Sequence, residues 1–389
     1  MKTAALHISS RFDSGAIEVE ALDRADDIRL RIRADSHADF RQWFHFGLHG
    51  AAGQACRLQF LNAGDCTYPD GWRDYRAVAS YDRVHWFRVP TRFDGQVMTV
   101  EFTPAHDSVW LAYFEPYAEE RHLALLGTCQ RSPRARLTHL GSTVQGRDMT
   151  VVTIGAPPEG ASDGGNDGRK TIWMIARQHP GETMAEWFVE GVLQRLTGTG
   201  IWAGDGVAER LLQKAVFHIV PNMNPDGSAL GNLRTNAAGA NLNREWMAPS
   251  LESSPEVYHV RRAIESTGCD LFFDIHGDEG LPYNFIAGSE MLPSFTESQR
   301  VAQARFVEAF KRATPDFQDV HGYAASKYNA DALKLASKYI GHAFGCLSLT
   351  LEMPFKDNAD LPQPEVGWNG ARSALLGAAM LQAILAQLD

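Results

Sequence analysis

Apolar and polar positions alternate along short runs in the first third of the chain: "AIEVEAL", "IRLRIRAD", "QWFHFGLHG", "HWFRVP", "QVMTVEFTP" and "SVWLAYFEP". A period of two sends successive side chains to opposite faces, so each run predicts a half-buried β-strand. The stretch "NAGDCTYPDGWRDY" between them is rich in turn formers. Several short strands separated by such turns predict a small all-β sandwich, taken as residues 1–117. Its aromatic residues Trp43, Phe44, Phe46, Trp86, Phe87 and Trp110 are expected to fill the core and the contact with the next domain, because large rings bury the most apolar area.

From about residue 119 the pattern changes. "YAEERHLALLGTCQ" has helical spacing, "LTHLGSTVQGRDMTVVTIG" reads as strand, turn and strand, and "APPEGASDGGNDGRK" reads as a surface loop inside the domain. Strand-like and helix-like runs then alternate: "TIWMIA", "AEWFVEGVLQRLTG", "AVFHIVPNMNP", "PEVYHVRRAIESTG", "CDLFFDIHG", "SQRVAQARFVEAFKRAT", "CLSLTLEMPF" and "ARSALLGAAMLQAILAQLD". This predicts an α/β domain with a largely internal sheet over residues 118–389. The Asn- and Gly-rich run "NPDGSALGNLRTNAAGANLNREW" is expected to be an irregular loop after the strand "AVFHIVP".

Composition narrows the partners. The chain has 389 residues, 44% hydrophobic and 22% charged, with a net charge of −10. No basic stripe is present, which argues against a nucleic-acid partner. No apolar run is expected to span a bilayer, and "MKTAALHISSRFDSG" lacks the long apolar segment of a secretory signal, so a cytoplasmic location without a membrane partner is expected. Cys56, Cys66, Cys129, Cys269 and Cys346 are odd in number and scattered, as expected of reduced thiols.

Candidate chemistry begins in "ARQHPGETMAEWFVEG", where His179 and Glu182 stand three residues apart at the mouth of a helix. Side chains at that spacing share one side, and an imidazole with a carboxylate suits Zn²⁺. A catalytic zinc needs a third ligand and an open position. The best candidate is His276 in "CDLFFDIHGDEG", at the end of a strand-like run, where α/β sheets present functional groups. His218 and His342 are read as packed or surface histidines. The Asn-rich loop carries Arg234, Asn243 and Arg244, donors that suit a carboxylate, although solvated surface arginines would read the same. Glu352 in "CLSLTLEMPF" is a lone acid in an apolar strand, either a base near a metal or a partner of Lys356.

The order "HPGE", "NPDG…NLR…NLNREW", "DIHG", "LTLEMPF" resembles the zinc metallocarboxypeptidase superfamily. With the all-β segment in front, the chain looks like the cytosolic carboxypeptidase subfamily in its bacterial form. The resemblance implies a zinc-carboxypeptidase-type mixed-sheet α/β domain and one Zn²⁺ per chain, held by His179, Glu182 and His276. It implies that Glu352 takes a proton from the attacking water and that Arg234 polarises the scissile carbonyl, worth about 3–4 kcal/mol by analogy with oxyanion-hole deletions. Asn243 and Arg244 would hold the C-terminal carboxylate of a peptide or protein. A mobile Tyr before the base is also implied, with Tyr328 and Tyr323 as candidates. A preference for C-terminal Glu would need a basic pocket, for which Lys338 and Lys334 are candidates. Hydrolysis of N-acyl amino acids is the alternative within the fold, and a non-catalytic peptide-binding module the alternative outside it. Asp278 and Glu279 receive no role.

Overall fold

The computed structural model describes residues 5–156, 168–324 and 327–388. Two five-stranded sheets form the N-terminal part. One has the order β1 (His7–Ser9), β4 (His45–His49), β10 (Ser108–Ala112), β6 (Val78–Ser80), β7 (Trp86–Arg88). The other has the order β2 (Glu18–Ala21), β3 (Ile28–Arg31), β5 (Cys56–Phe60), β9 (Met98–Phe102), β8 (Thr91–Phe93). Phe44 and Phe46 beside or on β4 meet Phe60 on β5, with ring centroids 4.8 and 6.3 Å apart, and these rings bind the two sheets together. Each of the six alternating runs contains a strand. β5, "CRLQF", alternates as well, whereas β1, β6 and β8 have three residues each, too few to show a period. Trp43, Phe44 and Phe46 are buried, as expected of core residues.

The third sheet is mixed and has seven strands, in the order β11 (Ala135–Ser142), β12 (Asp148–Ile154), β14 (Ala215–Val220), β13 (Lys170–Ala176), β15 (Leu271–Ile275), β17 (Leu347–Glu352), β16 (Phe285–Ala287). The four strands β14, β13, β15 and β17 are mutually parallel, so their C-terminal ends share one edge. Helices cover both faces, which is why these strands read as nearly continuous apolar runs. On β13, Ile172 and Met174 point into the core under α2 (Met184–Thr197), α6 (Glu297–Ala313) and α8 (Gly370–Leu388). Trp173 and Ile175 point the other way, toward α5 (Pro255–Thr267) and α7 (Ala336–Phe344). α1 (Glu119–Gln130) and α3 (Gly206–Lys214) complete the outer layer.

Two expectations are revised, and a third falls mostly outside the described residues. The sequence "PDGSAL" is a short helix, α4 (Pro225–Leu230), because Pro225 opens it and the Asn224 side chain accepts from Gly227 N–H. The stretch 157–167, most of the loop read in "APPEGASDGGNDGRK", lies outside the described residues. And α8, with 19 residues and mean hydropathy 1.3, is long and apolar enough by length and composition to cross a membrane. It is packed inside the fold instead. A Cβ on Gly191 of α2 would lie 1.9 Å from Ala374 O, and one on Gly377 would lie 2.1 Å from Phe188 O, so the two helix backbones touch.

The two parts share one continuous core. Tyr113 stacks on Phe355 at 4.5 Å. Arg88, buried, donates to Phe355 O at 2.9 Å and to Trp368 O at 3.1 Å. A buried guanidinium is tolerated because carbonyls replace its water.

Candidate active site

The chain turns sharply after β13. Arg177 adopts φ 59°, a left-handed conformation that costs a residue with a Cβ, and its side chain holds it there. Nε donates to Pro180 O at 2.9 Å, and Nη1 donates to Tyr117 O at 2.9 Å and to Glu186 Oε2 at 2.7 Å. This turn places His179 and Glu182 at the sheet edge, just before α2. Gly181 is needed within it, since a Cβ there would lie 2.9 Å from Leu233 O.

Glu182 sits between the two histidines. Its Oε1 is 2.6 Å from His179 Nδ1, and its Oε2 is 2.7 Å from His276 Nδ1. His276 leaves the end of β15, where its N–H donates to Leu351 O at 2.8 Å, beside Glu352 at the end of β17. Each ring is braced from behind. His276 Nε2 lies 3.0 Å from Asp274 Oδ1, and His179 Nε2 lies 3.1 Å from Asn241 Oδ1. Trp246 Nε1 and the two oxygens of Asp274 in turn hold Gln178.

The three donors are buried and lie within 4.8 Å of one another. Two imidazoles and a carboxylate, open on one side and braced by outer partners, fit a catalytic zinc site. The electrostatics agree. Burial, helped by Arg234, pushes His179 down to about 3, which leaves the neutral imidazole that a metal requires. Burial also opposes a charge on His276, but Asp274 and Glu182 outweigh it and raise His276 well above its usual value. Burial alone would raise Glu182, yet the two histidines bring it below the ordinary carboxylate range. Glu182 is thus held charged where the donors converge, and a metal ion there would displace the proton that Asp274 and Glu182 favour on His276.

Around this point opens a cleft of about 1590 Å³. Arg234, Asn243, Arg244, Lys338 and Glu352 all line it. Among the described residues no hydrogen bond holds the Arg234 guanidinium; Phe40 and Tyr68 flank it at 5.8 and 5.6 Å. Arg244 is exposed in the cleft, with one contact to Asn243 O at 2.7 Å. Asn243 is committed, accepting from Ala336 N–H at 2.8 Å while its Nδ2 lies 3.3 Å from His276 Nε2. Glu352 is 7% exposed, with Oε2 unpartnered among the described residues, and burial together with Glu182 and Asp278 raises it well above the carboxylate range. Lys356 is not bonded to it and reaches Gly280 O instead. Lys338 is buried, donates to Gly288 O, and is lowered by burial to about 8.

Tyr328 is 44% exposed and outside the cleft lining. Tyr323 lines the cleft, with its hydroxyl donating to Asp278 Oδ2 at 2.8 Å. Lys334 also lines the cleft but is half-exposed and paired with Asp331. His218 stacks on Trp173 and His342 is exposed, both away from the site. The two acids that had no role divide. Asp278 Oδ1 accepts from Gly280 and Leu281 N–H and shapes the loop. Glu279 is buried in the cleft wall with Oε1 unpartnered among the described residues, and burial and Glu182 raise it strongly. Sequence reasoning missed Asp274, Asn241 and Tyr68. Asp274 did leave a signal, being an acid two residues before His276 and therefore on the same strand face.

Three buried donors that could hold a metal ion, a carboxylate with one oxygen unpartnered among the described residues, and cleft arginines stand together at the C-terminal edge of the parallel strands, an arrangement that suits a metallopeptidase centre. Comparison with known proteins agrees. Residues 8–114 match the cytosolic carboxypeptidase N-terminal domain, and residues 124–367 match the zinc carboxypeptidase family. A metallo-carboxypeptidase from Burkholderia cenocepacia is 64% identical, with a TM-score of 0.95 covering 99% of each chain. One from Pseudomonas aeruginosa is 42% identical, with a TM-score of 0.92 covering 97% of this chain and 98% of that one. Mouse cytosolic carboxypeptidase 6 is 27% identical over 91% of this chain and 68% of its own length. The chain belongs to the zinc carboxypeptidase family. It is a peptide hydrolase with a cytosolic carboxypeptidase-like N-terminal domain.

Proposed function

We propose that this enzyme removes the C-terminal residue of peptides or proteins, with one zinc per chain and a preference for acidic side chains. The observation that carries the reading is the convergence of His179, Glu182 and His276 with Glu352, Arg234 and Arg244 in one cleft. His179, Glu182 and His276 hold the metal. Zinc bound there supplies Lewis acidity, which lowers the pKa of water from ~15.7 toward ~7 and polarises a carbonyl. Glu352 takes a proton from the attacking water and returns it to the leaving amine, a role suited to a carboxyl that burial raises above the ordinary carboxylate range. Arg234 faces the oxygen on which negative charge develops. Arg244 grips the terminal carboxylate, which an internal peptide bond does not offer, and Asn243 braces that loop.

Lys338 supports the acidic preference. It is a buried ammonium with one donor on Gly288 O and two more to offer. The Pseudomonas relative was solved with (2-guanidinoethylmercapto)succinic acid, a dicarboxylate with a basic arm. Peptides ending in Arg therefore belong in the test panel beside those ending in Glu, Gln and Leu. Release of free amino acid is measured for zinc-loaded wild type and Glu352→Gln. Cleavage by wild type alone, strongest for Glu, is the expected result. Zinc-loaded protein that spares every peptide but cleaves N-acyl amino acids would overturn the reading. The same reading divides the chain at residues 117 and 118 and places its action in the cytoplasm, in keeping with the name of the mouse relative.

A further inference from the structure

The loop that carries Arg234 is built by the catalytic domain but held by the β-sandwich. Asp35, 7% exposed, follows β3, and its backbone N–H donates to Phe40 O at 2.8 Å to close a tight loop. Its carboxylate receives three consecutive backbone N–H groups. Leu233 donates to Oδ1 at 2.5 Å, and Arg234 and Thr235 donate to Oδ2 at 2.8 and 2.9 Å. The Thr235 hydroxyl adds a fourth bond at 3.0 Å. Successive amides that converge on one anion fix their backbone closely, since moving any one breaks the set.

The sandwich touches the same loop on both sides of Arg234. Arg33 Nη2 donates to Leu230 O, and Ser36 N–H donates to Asn232 Oδ1 at 3.1 Å. Gly231 and Gly239 have φ of 69° and 82°, and a Cβ on them would lie 2.7 Å from Ser14 O and 2.4 Å from His37 O. Only glycine permits both that backbone and that approach. The guanidinium itself lies between Phe40 and Tyr68, two rings of the sandwich, and Tyr68 reaches the cleft lining. Backbone and side chain of Arg234 are thus both seated on the N-terminal domain.

We propose that Asp35 is a positioning residue for catalysis, and that the β-sandwich, through Asp35, Phe40 and Tyr68, completes the active site by aiming Arg234. This rests on the reading that Arg234 faces the reacting carbonyl. An arginine that acts on developing charge must be placed to well within an ångström, since a 1 Å misplacement can cost ~100-fold in rate. Asp35→Asn keeps the shape but turns an NH₂ group toward amides that need an acceptor.

The test uses the full-length, zinc-loaded protein. Asp35→Asn is expected to lower kcat by about 10- to 100-fold, with KM within about threefold and zinc content unchanged. In an Arg234→Ala background the same change should cost less than about twofold, because its route to catalysis is already gone. Amide exchange at Leu233–Thr235 should quicken at least tenfold in Asp35→Asn while the metal-binding segments keep their protection. Unchanged kcat, full additivity with Arg234→Ala, or unchanged exchange in this loop would each overturn the proposal. A protein that merely lost domain adhesion would show a lower Tm with normal kcat per folded molecule. If Asp35→Asn does not fold, Phe40→Leu takes its place in the same cycle, with the same two outcomes deciding. Should wild type cleave no peptide, the proposed function fails by itself, and the exchange measurement still decides whether Asp35 holds the loop.

Discussion

Asp274 Oδ1 lies 3.0 Å from Nε2 of His276, on the side of the ring away from Glu182. The two residues leave β15 on the same face, and Asp274 is fully buried. A carboxylate behind a ligating imidazole fixes its tautomer and raises its basicity. Asp274→Asn is therefore expected to weaken zinc binding by about 10- to 100-fold. Competition with a chromogenic chelator measures it. Affinity equal to wild type would show that Asp274 serves only Gln178.

Glu352→Gln keeps the shape of the base but cannot take a proton. The expected loss in kcat is about 100- to 10,000-fold, with zinc content equal to wild type. Elemental analysis beside steady-state kinetics checks both halves. A variant that loses zinc along with activity would assign Glu352 to the metal instead.

Lys338 carries its charge below about 8, because burial lowers it. The ratio of kcat/KM for C-terminal Glu over C-terminal Gln should fall as pH rises through 8, on top of any common trend. Lys338→Met should lower that ratio by about 10- to 100-fold at pH 7, the worth of a hydrogen bond to a charged group. A ratio flat from pH 6 to 9 in wild type would remove Lys338 from substrate recognition.

Glu256, at the start of α5, is buried and raised by burial to about 7 from 4.5, with Oε1 unpartnered among the described residues and Oε2 accepting from Asn236 at 3.1 Å. The folded state holds this proton more tightly than the unfolded one. Stability is highest below pH 4.5 as far as this group is concerned, falls as pH rises to 7, and stays lowered above it. Glu256→Gln should stabilise the protein at pH 8 by on the order of 2–3 kcal/mol, and by nothing at pH 4.5. Chemical denaturation at both pH values measures this. Equal effects at the two would show that the carboxyl is not titrating.

Much of the candidate site was legible because its residues announce themselves locally. His179 and Glu182 share a turn, His276 ends a buried strand, and Glu352 is an acid in an apolar run. Each pattern breaks a local expectation, and their order along the chain supplied the resemblance. Tyr323 and Tyr328 could not be separated that way. Both are tyrosines before β17, and it takes the tertiary structure to show that Tyr323 lines the cleft and donates to Asp278 while Tyr328 lies outside the cleft lining. β1, β6 and β8 were invisible for a similar reason, since a period needs more than one repeat. The apolar α8 shows the converse, a segment whose composition fits two environments until Gly191 and Gly377 place it against α2.

The sequence by itself determined the layer order, the strand ends that carry chemistry, and the donors available for a metal, because these follow from side-chain period and residue type within a few positions. Only the tertiary structure decided which donors meet and what holds them. Asp35 and Thr235 are 200 residues apart, in different sheets' loops, and no periodicity links them. Their hydrogen bonds exist because two separately patterned domains bury one common core, and that docking alone brings a carboxylate of the sandwich under the loop of Arg234.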